Sequence, residues 1–354
     1  MIANIGEISY PLYIQRGALD TIGEKIKENF PKSKVVIISD DKVFSIYGQK
    51  VTENIKSYDI AVNSIILEQG EKTKSLSTMQ RVFDKLIEYE TSRTDVIVAL
   101  GGGVIGDLTG FVASCYLRGT KYIQVPTSLL AQVDSSIGGK TAINLEQGKN
   151  LVGSFYHPSM VIIDADVLET LDDENFACGM AEVIKTALIM DKELFATIKE
   201  HDSREKIQPV LSQVIEKCCQ NKLYVVQQDE KDTGLRLTLN YGHTLGHALE
   251  KMPELKLAHG HAVAIGMAEF AKAGEKHGQT KAGTYDEMVP LLKSFKLPYE
   301  MPDVDIAKTF AYAKRDKKTF NSKIKIVLLK DIGECFIYPI GHGELSKYIE
   351  VRKP

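Results

Sequence analysis

The chain is 354 residues long, 44% hydrophobic and 26% charged, with a formal net charge of −3. That length accommodates two domains with sizeable cores, and the charge leaves no basic footprint for nucleic acid. No apolar run reaches the length of a membrane span, MIANIGEISY lacks the pattern of a secretory signal, and five cysteines with no CxxC fit neither a disulfide framework nor a cysteine zinc site, so a cytoplasmic location is expected.

The first half alternates short β-rich runs with helical patterns. YPLYIQ reads as a strand and residues 19–30 as a helix. KVVIIS is a buried strand ending at Asp40, followed by a helix through Tyr58 and the strand NSIILEQG. Ser75 is placed to cap the helix STMQRVFDKLIEYE. DVIVAL is another strand, VIGDLTGFVASCYLRG another helix, and YIQVPTS closes the series. Repeated strand–helix alternation implies an α/β domain with a mostly parallel sheet. Ligands on such sheets bind beyond the C-terminal strand ends. Those ends are Asp40, residues 69–74, residues 101–107, and Thr127 with Ser128.

Residues 132–171 are mixed in texture and include the apolar run MVIIDAD. Beyond them nearly every segment reads helical, so the expected domains are 1–170, α/β, and 171–354, mostly helical. KIKIVLLKD and ECFIYPI, joined at Ile332 and Gly333, are expected to form a small hairpin.

Three groups of residues carry chemistry. Gly101, Gly103 and Gly106 form GxGxxG between a strand and a helix, the context in which glycines let backbone approach a pyrophosphate. The loop departs from the ordinary dinucleotide fingerprint, because it follows the fourth apparent strand and no acid stands about 20 residues on. Asp40 is an alternative ribose contact, and Glu71 and Lys74 lie at a further strand end. The bland alternative is a tight turn that merely needs glycine.

The second group is histidine-rich, within RLTLNYGHTLGHALEKMPELKLAHGHAVAIGM. His243 and His247 stand i, i+4 on one helix face, and His259 and His261 open the next helix. No glutamate follows the first histidine, which disfavours an HExxH protease. In GMAEVIKTA, Glu182 and Lys185 lie one turn apart on an otherwise apolar helix, and a buried glutamate needs a cation or a metal. Two histidines and a glutamate form a known catalytic zinc set. The third group is cationic: Arg118, Lys140, Lys149, Lys185, Lys222, Arg236 and Lys317 adjoin polar motif segments. Converging, they suit a substrate with phosphate and carboxylate groups, with Asp134, Asn150 and Asn240 to orient hydroxyls.

GGGVIGDLTGFVAS, VPTSLLAQVDSSIGGKTAIN, GKNLVG, GMAEVIK, the segment 229–248 and HGHAVAIGM occur in this order, and together they closely resemble the 3-dehydroquinate synthase family over nearly the whole chain. The resemblance implies an N-terminal NAD-binding domain, a C-terminal helical domain with the active site in the cleft, zinc that cobalt can replace, and a homodimer. It implies metal ligation by Glu182, His243 and His259, which makes His247 a substrate-pocket and proton-relay residue. NAD contacts fall on Asp40, Glu71, Lys74, Gly102, Gly103, Val104, Asp107, Thr127, Ser128, Lys140, Lys149 and Thr170. Substrate contacts fall on Arg118, Asp134, Lys140, Asn150, Lys185, Lys222, Arg236, Asn240, His247 and Lys317, the last beside Lys318. Three positions depart from the common pattern: Ser128 for threonine, Gln132 for an apolar residue and His261 for an acid.

The implied reaction turns 3-deoxy-D-arabino-heptulosonate 7-phosphate into 3-dehydroquinate and phosphate. It runs through transient oxidation, phosphate elimination, re-reduction and an intramolecular aldol step, with NAD returned unchanged. Alternatives are another sugar-phosphate cyclase, such as a 2-deoxy-scyllo-inosose synthase-like enzyme, a metal-dependent glycerol or alcohol dehydrogenase, and a non-catalytic nucleotide sensor.

Overall fold

The structure, a computed structural model, describes residues 1–304, 323–341 and 343–349. The chain divides into two compact units, Met1–Asp172 and Asp173–Pro354.

The first unit contains β1 (Ile2–Ile5), β2 (Ile8–Ile14), β3 (Val35–Asp40), β4 (Val62–Leu67), β5 (Val96–Gly101), β6 (Lys121–Pro126), β7 (Lys140–Leu145), β8 (Gly148–Phe155) and β9 (Met160–Ile163). Seven of them form one sheet in the order β1-β2-β9-β6-β5-β3-β4, parallel except for the β1–β2 pair. Every residue of β3, β5 and β9 is buried, which is why they read as unbroken apolar runs: helices cover both faces of a parallel sheet. Register fixes the functional edge. Asp40 pairs with Leu67, Ser39 with Leu100, and Gly101 with Pro126, so the ends of β4, β3, β5 and β6 lie level and side by side.

Helix Gly103–Cys115 returns across this sheet, and its glycines set how closely it lies. A Cβ on Gly106 would stand 2.6 Å from Gln124 Oε1 on β6, and one on Gly110 3.0 Å from the Tyr122 hydroxyl on β6 and 2.4 Å from Thr141 Cγ2 on the separate β7–β8 hairpin. The expected strands and helices of this unit are present, with Ser75 accepting from the Thr78 amide as N-cap of helix Leu76–Glu88. β1 is an addition to the expected plan. So is the β7–β8 hairpin within the mixed passage, whose apolar run becomes β9. The helix expected after β3 is interrupted, running as Asp41–Val43, a wider turn Phe44–Gly48, then Gln49–Lys56.

In the second unit, helix Asp173–Met190 is the core, with every residue from Phe176 to Ile189 buried. Helices Leu211–Gln228 and His259–Lys276 and the β10 (Lys323–Asp331) and β11 (Glu334–Gly341) hairpin pack on it. The hairpin turns at Gly333, φ 84°, as expected from its sequence. Two close backbone approaches set the spacing of the histidine-bearing helices. A Cβ on Gly260 would fall 2.3 Å from Cys178 Cα, and one on Gly246 3.1 Å from the Ala262 carbonyl. Glycine at these positions lets helix His259–Lys276 seat its first turn on the central helix, one turn before Glu182, while helix His243–Glu250 packs against helix His259–Lys276. Among the described residues no helix is long and apolar enough to cross a membrane.

Candidate functional site

Glu182 sits in the buried middle of the central helix, 1% exposed. Its Oε2 accepts a hydrogen bond from Lys185 Nζ, one turn on. Its Oε1 is buried and accepts none. That oxygen lies 3.6 Å from His243 Nε2 and 3.4 Å from His259 Nε2. Three donors held about 2.0–2.1 Å from a tetrahedral zinc ion stand about 3.4 Å from one another. The observed separations therefore suit one ion better than a set of direct hydrogen bonds. A buried carboxylate oxygen with no hydrogen bond is also costly unless a cation reaches it, so the donor set fits a divalent metal.

The ring orientations are fixed from behind. His243 Nδ1 lies 3.1 Å from the Tyr241 carbonyl. A carbonyl only accepts, so Nδ1 carries the proton and Nε2 keeps its lone pair on the Glu182 side. His259 Nδ1 lies 3.3 Å from Glu250 Oε2. The His247 ring stands 5.2 Å from that of His243, edge-on, and 6.0 Å from that of His259. His261 is half-buried and belongs to neither metal-capable group among the described residues.

Charge follows from this packing. Burial favours the neutral form of Glu182, but Lys185, His243 and His259 outweigh it and hold the carboxyl well below the usual carboxylate range. Burial, only partly offset by Glu182, pushes His243 down to about 3. Burial also opposes protonation of His259, yet Glu182 and Glu250 overcome it and push that ring up to about 10.

Other predicted residues of this unit lie on elements that pack on the central helix or adjoin the cluster. Lys222 is buried on helix Leu211–Gln228, and Arg236 is buried with Nη1 donating to the Glu230 carbonyl at 2.6 Å. The loop before Arg236 is tied by Asp229, whose carboxylate accepts from the amides of Thr233, Gly234 and Arg236 at 3.0, 2.7 and 2.9 Å. Asn240 donates to the Leu237 carbonyl at 3.1 Å. Lys317 lies outside the described residues.

In the first unit, helix Gly103–Cys115 begins at Gly102 with no side-chain cap. Its leading N–H groups thus lack a side-chain acceptor, which is the arrangement that receives a pyrophosphate. None of Gly101, Gly102 and Gly103 lies in left-handed backbone, so the turn itself does not demand glycine. Close approach does at Gly101, where a Cβ would stand 2.8 Å from Ile105 Cβ, and a Cβ on Gly103 would crowd Ser135 Oγ at 3.0 Å. The Thr127 amide donates to the Gly101 carbonyl at 3.0 Å, and Ser128 Oγ would lie 3.4 Å from a Cβ on Gly102, so both stay beside the loop, as does Val104 in the first helical turn. Asp40 is buried and caps the turn after β3 by accepting from the Val43 amide at 2.9 Å. Burial, partly offset by that amide, raises its pKa.

Lys74, 4% exposed, donates to Asp107 Oδ2 and Asn150 Oδ1. Asn144 joins this group to Glu71: its Nδ2 donates to Glu71 Oε1 at 2.6 Å, its amide to the Lys74 carbonyl at 2.8 Å, and its Oδ1 accepts from the Asn150 amide at 2.9 Å. Neither Asn144 nor Glu250 stands out in the sequence. Asn144 closes a network among residues far apart in sequence, and only the fold reveals it. Lys140 and Lys149 are exposed on the β7–β8 hairpin, and Asp134 is half-buried in the turn that follows β6. Thr170 Oγ1 meets Tyr47 Oη at 2.6 Å. Gln132, the unusual polar residue, is fully buried, and its Nε2 ties the Pro126 and Asp164 carbonyls at 3.1 and 2.7 Å.

Arg118 is not brought to this edge. It follows helix Gly103–Cys115, whose 13 residues run back along the sheet, about 20 Å at 1.5 Å per residue. It is exposed, in left-handed backbone with φ 66°, at the start of β6 rather than its end.

Two family models match the chain, together spanning residues 64–319. The model described as 3-dehydroquinate synthase N-terminal matches residues 64–178, and that described as 3-dehydroquinate synthase C-terminal matches residues 179–319. The chain is 44% identical to the 3-dehydroquinate synthase of Clostridium acetobutylicum over 98% of each chain. Among solved structures, 2-deoxy-scyllo-inosose synthase complexed with carbaglucose-6-phosphate, NAD+ and Co2+ superposes with a TM-score of 0.89 at 25% identity, covering 98% of this chain and 99% of that one. The 2-epi-5-epi-valiolone synthase of Streptomyces hygroscopicus subsp. jinggangensis, with NAD+ and Zn2+ bound, gives 0.86 at 26% identity over 98% of each.

Proposed function

The chain belongs to the 3-dehydroquinate synthase family, and we propose that it performs that family's reaction with Glu182, His243 and His259 as metal ligands and the 101–107 loop as part of an NAD site. The enzyme converts 3-deoxy-D-arabino-heptulosonate 7-phosphate to 3-dehydroquinate and phosphate, a step of the shikimate route to aromatic amino acids. The observation that carries the metal assignment is Glu182 Oε1, buried, without a hydrogen bond, and 3.4 and 3.6 Å from two imidazole nitrogens.

When bound, NAD+ supplies a reversible hydride acceptor and the divalent cation, Zn2+ or Co2+ in its place, supplies a Lewis acid at the carbinol oxygen. The residues of the chain do the rest. Lys185 holds the second oxygen of Glu182 and so fixes which oxygen the ligand set offers. The Tyr241 carbonyl fixes the His243 tautomer. His247, one turn from His243, holds and returns a proton on its imidazole nitrogen. Lys185, Lys222 and Arg236 bind the anionic groups of the substrate in the second unit, with Asn240 orienting a hydroxyl and Lys317 as a further cation.

In the first unit the helix amides behind Gly102, with Gly103 and Val104, receive the pyrophosphate. Asp40, Glu71, Lys74, Asp107, Thr127, Ser128, Lys149 and Thr170 hold the rest of the dinucleotide. Lys140, Asp134 and Asn150 contact substrate. A fixed cationic cradle also stabilises charge that develops on the departing phosphate. Arg118 precedes β6, away from the strand ends that carry the other first-unit residues. We further propose a cytoplasmic homodimer, with the dimer to be measured by light scattering.

The test is a turnover assay. With the heptulosonate phosphate and NAD+ at a small fraction of the substrate concentration, phosphate is released to the full substrate level and no NADH absorbance persists. NADH accumulating in step with turnover, or no phosphate release, overturns the reading in favour of a dehydrogenase.

A further inference from the structure

The two histidines that face Glu182 are oriented by different means. His243 leans on a main-chain carbonyl, which no substitution removes. His259 leans on a side chain. Its Nδ1 is 3.3 Å from Glu250 Oε2, while its Nε2 is 3.4 Å from Glu182 Oε1, so the ring spans two carboxylates. Glu250 is half-buried, with its side chain 11% exposed. It ends helix His243–Glu250, seven residues after His243, so His243, Gly246, His247 and Glu250 share one face. Gly246 on that face lets the next helix pack against it, which brings the first residue of that helix, His259, over Glu250. The carboxylate also lies at that helix's N-terminus, where negative charge is favoured.

We propose that Glu250 is the positioning residue of the metal centre. By accepting the Nδ1 proton of His259 it sets the tautomer that leaves Nε2 as the ligand atom, and it holds the ring plane toward Glu182. Metal-binding histidines depend on such partners, and losing one costs about 10–100-fold in metal affinity. The proposal rests on the assignment of Glu182, His243 and His259 as ligands. His247, Glu250 and His259 also offer three donor atoms within 4.8 Å of one another. A second ion there is the rival role for Glu250.

The test uses full-length protein carrying Glu250→Ala, Glu250→Gln or Glu182→Gln. Affinity for Zn2+ is measured by competition with a chromophoric chelator, metal stoichiometry by elemental analysis, and ligand geometry by the visible absorption of the Co2+ form. Glu250→Ala is expected to bind one Zn2+ about 10–100-fold more weakly with an altered Co2+ spectrum. Glu250→Gln, whose amide oxygen still accepts from Nδ1, should recover most of that affinity and the native spectrum. A role confined to folding would lower the thermal midpoint of chelator-treated protein and leave the Co2+ spectrum unchanged. That pattern, or unchanged affinity in both Glu250 variants, overturns the proposal. So does a second ion in the parent protein that Glu250→Ala removes. If Glu250→Ala fails to fold, Glu250→Gln decides, since a spectrum unlike the parent's in that variant also contradicts the proposal. Unchanged affinity in Glu182→Gln would instead remove the ligand assignment itself, so the two failures are distinguishable.

Discussion

Cation binding at Glu182, His243 and His259 is expected to release about one proton near neutral pH. Each ligand's charge state supplies one part of that count. Glu182 is held below the usual carboxylate range by Lys185 and the two imidazoles against the effect of burial, so it has no proton to lose. His243 is pushed down to about 3, chiefly by burial, so it is already neutral. His259 is pushed up to about 10 by Glu182 and Glu250, despite burial, so it carries a proton that coordination must displace. Apparent affinity should then rise about tenfold per pH unit, on the order of a thousandfold from about pH 6 to about pH 9, and level off as the pH passes the raised value.

Calorimetric titration in two buffers of different ionisation enthalpy reads the proton count, and chelator competition across the pH range reads the slope. A count near zero with pH-independent affinity would refute the reasoning. Stability of chelator-treated protein should move the other way. A raised folded-state pKa adds stability that is fully present below about pH 6.5, the ordinary imidazole value, and is lost as pH rises through the folded value of about 10. The thermal midpoint of the chelated protein should therefore fall across that window.

Lys185→Met removes the cation that holds Glu182 while leaving the carboxylate buried. Breaking such a pair costs about 3–5 kcal/mol, so chemical denaturation should show a loss of that order in chelated protein and a smaller one with Zn2+ present. Gly110→Ala places a methyl 2.4 Å from Thr141 Cγ2, and overpacking of this kind costs about 1–3 kcal/mol, read as a lower midpoint in thermal melts. Asp229→Ala releases three amides of the loop that precedes Arg236. Steady-state kinetics should show a raised KM for the anionic substrate with NAD+ affinity little changed. Because the Asp229 carboxyl is held down to about 2 by those amides against partial burial, its contribution persists above about pH 3.9 and disappears only as pH falls through the folded value.

Much of the first unit was legible because its sheet is parallel. β3 and β5 are buried on both faces and appear in the sequence as the apolar runs KVVIIS and DVIVAL. The Ser75 cap and the glycine loop were local signals with local causes. β1 was not, since its four residues alternate in burial and make sense only against β2. β8 escaped for the opposite reason: nearly all of it is exposed, so no burial pattern marks it.

The metal-centre residues were visible as residue types, but their roles were not. Spacing puts His243 and His247 on one face and leaves His259 and His261 as equals, and the family resemblance made the choice. Arg118 looked like its cationic neighbours until the sheet direction placed it at the far edge. Glu250 reads as an ordinary acid at the end of an amphipathic helix, and only the tertiary contact with a histidine nine residues on gives it meaning.

The most direct test of the account is a crystal structure of the Co2+-loaded protein with diffraction recorded at the cobalt absorption edge. The account predicts one anomalous peak about 2.0–2.2 Å from Glu182 Oε1, His243 Nε2 and His259 Nε2. A peak centred on His247 and Glu250 without Glu182, or no peak near these residues, would contradict it.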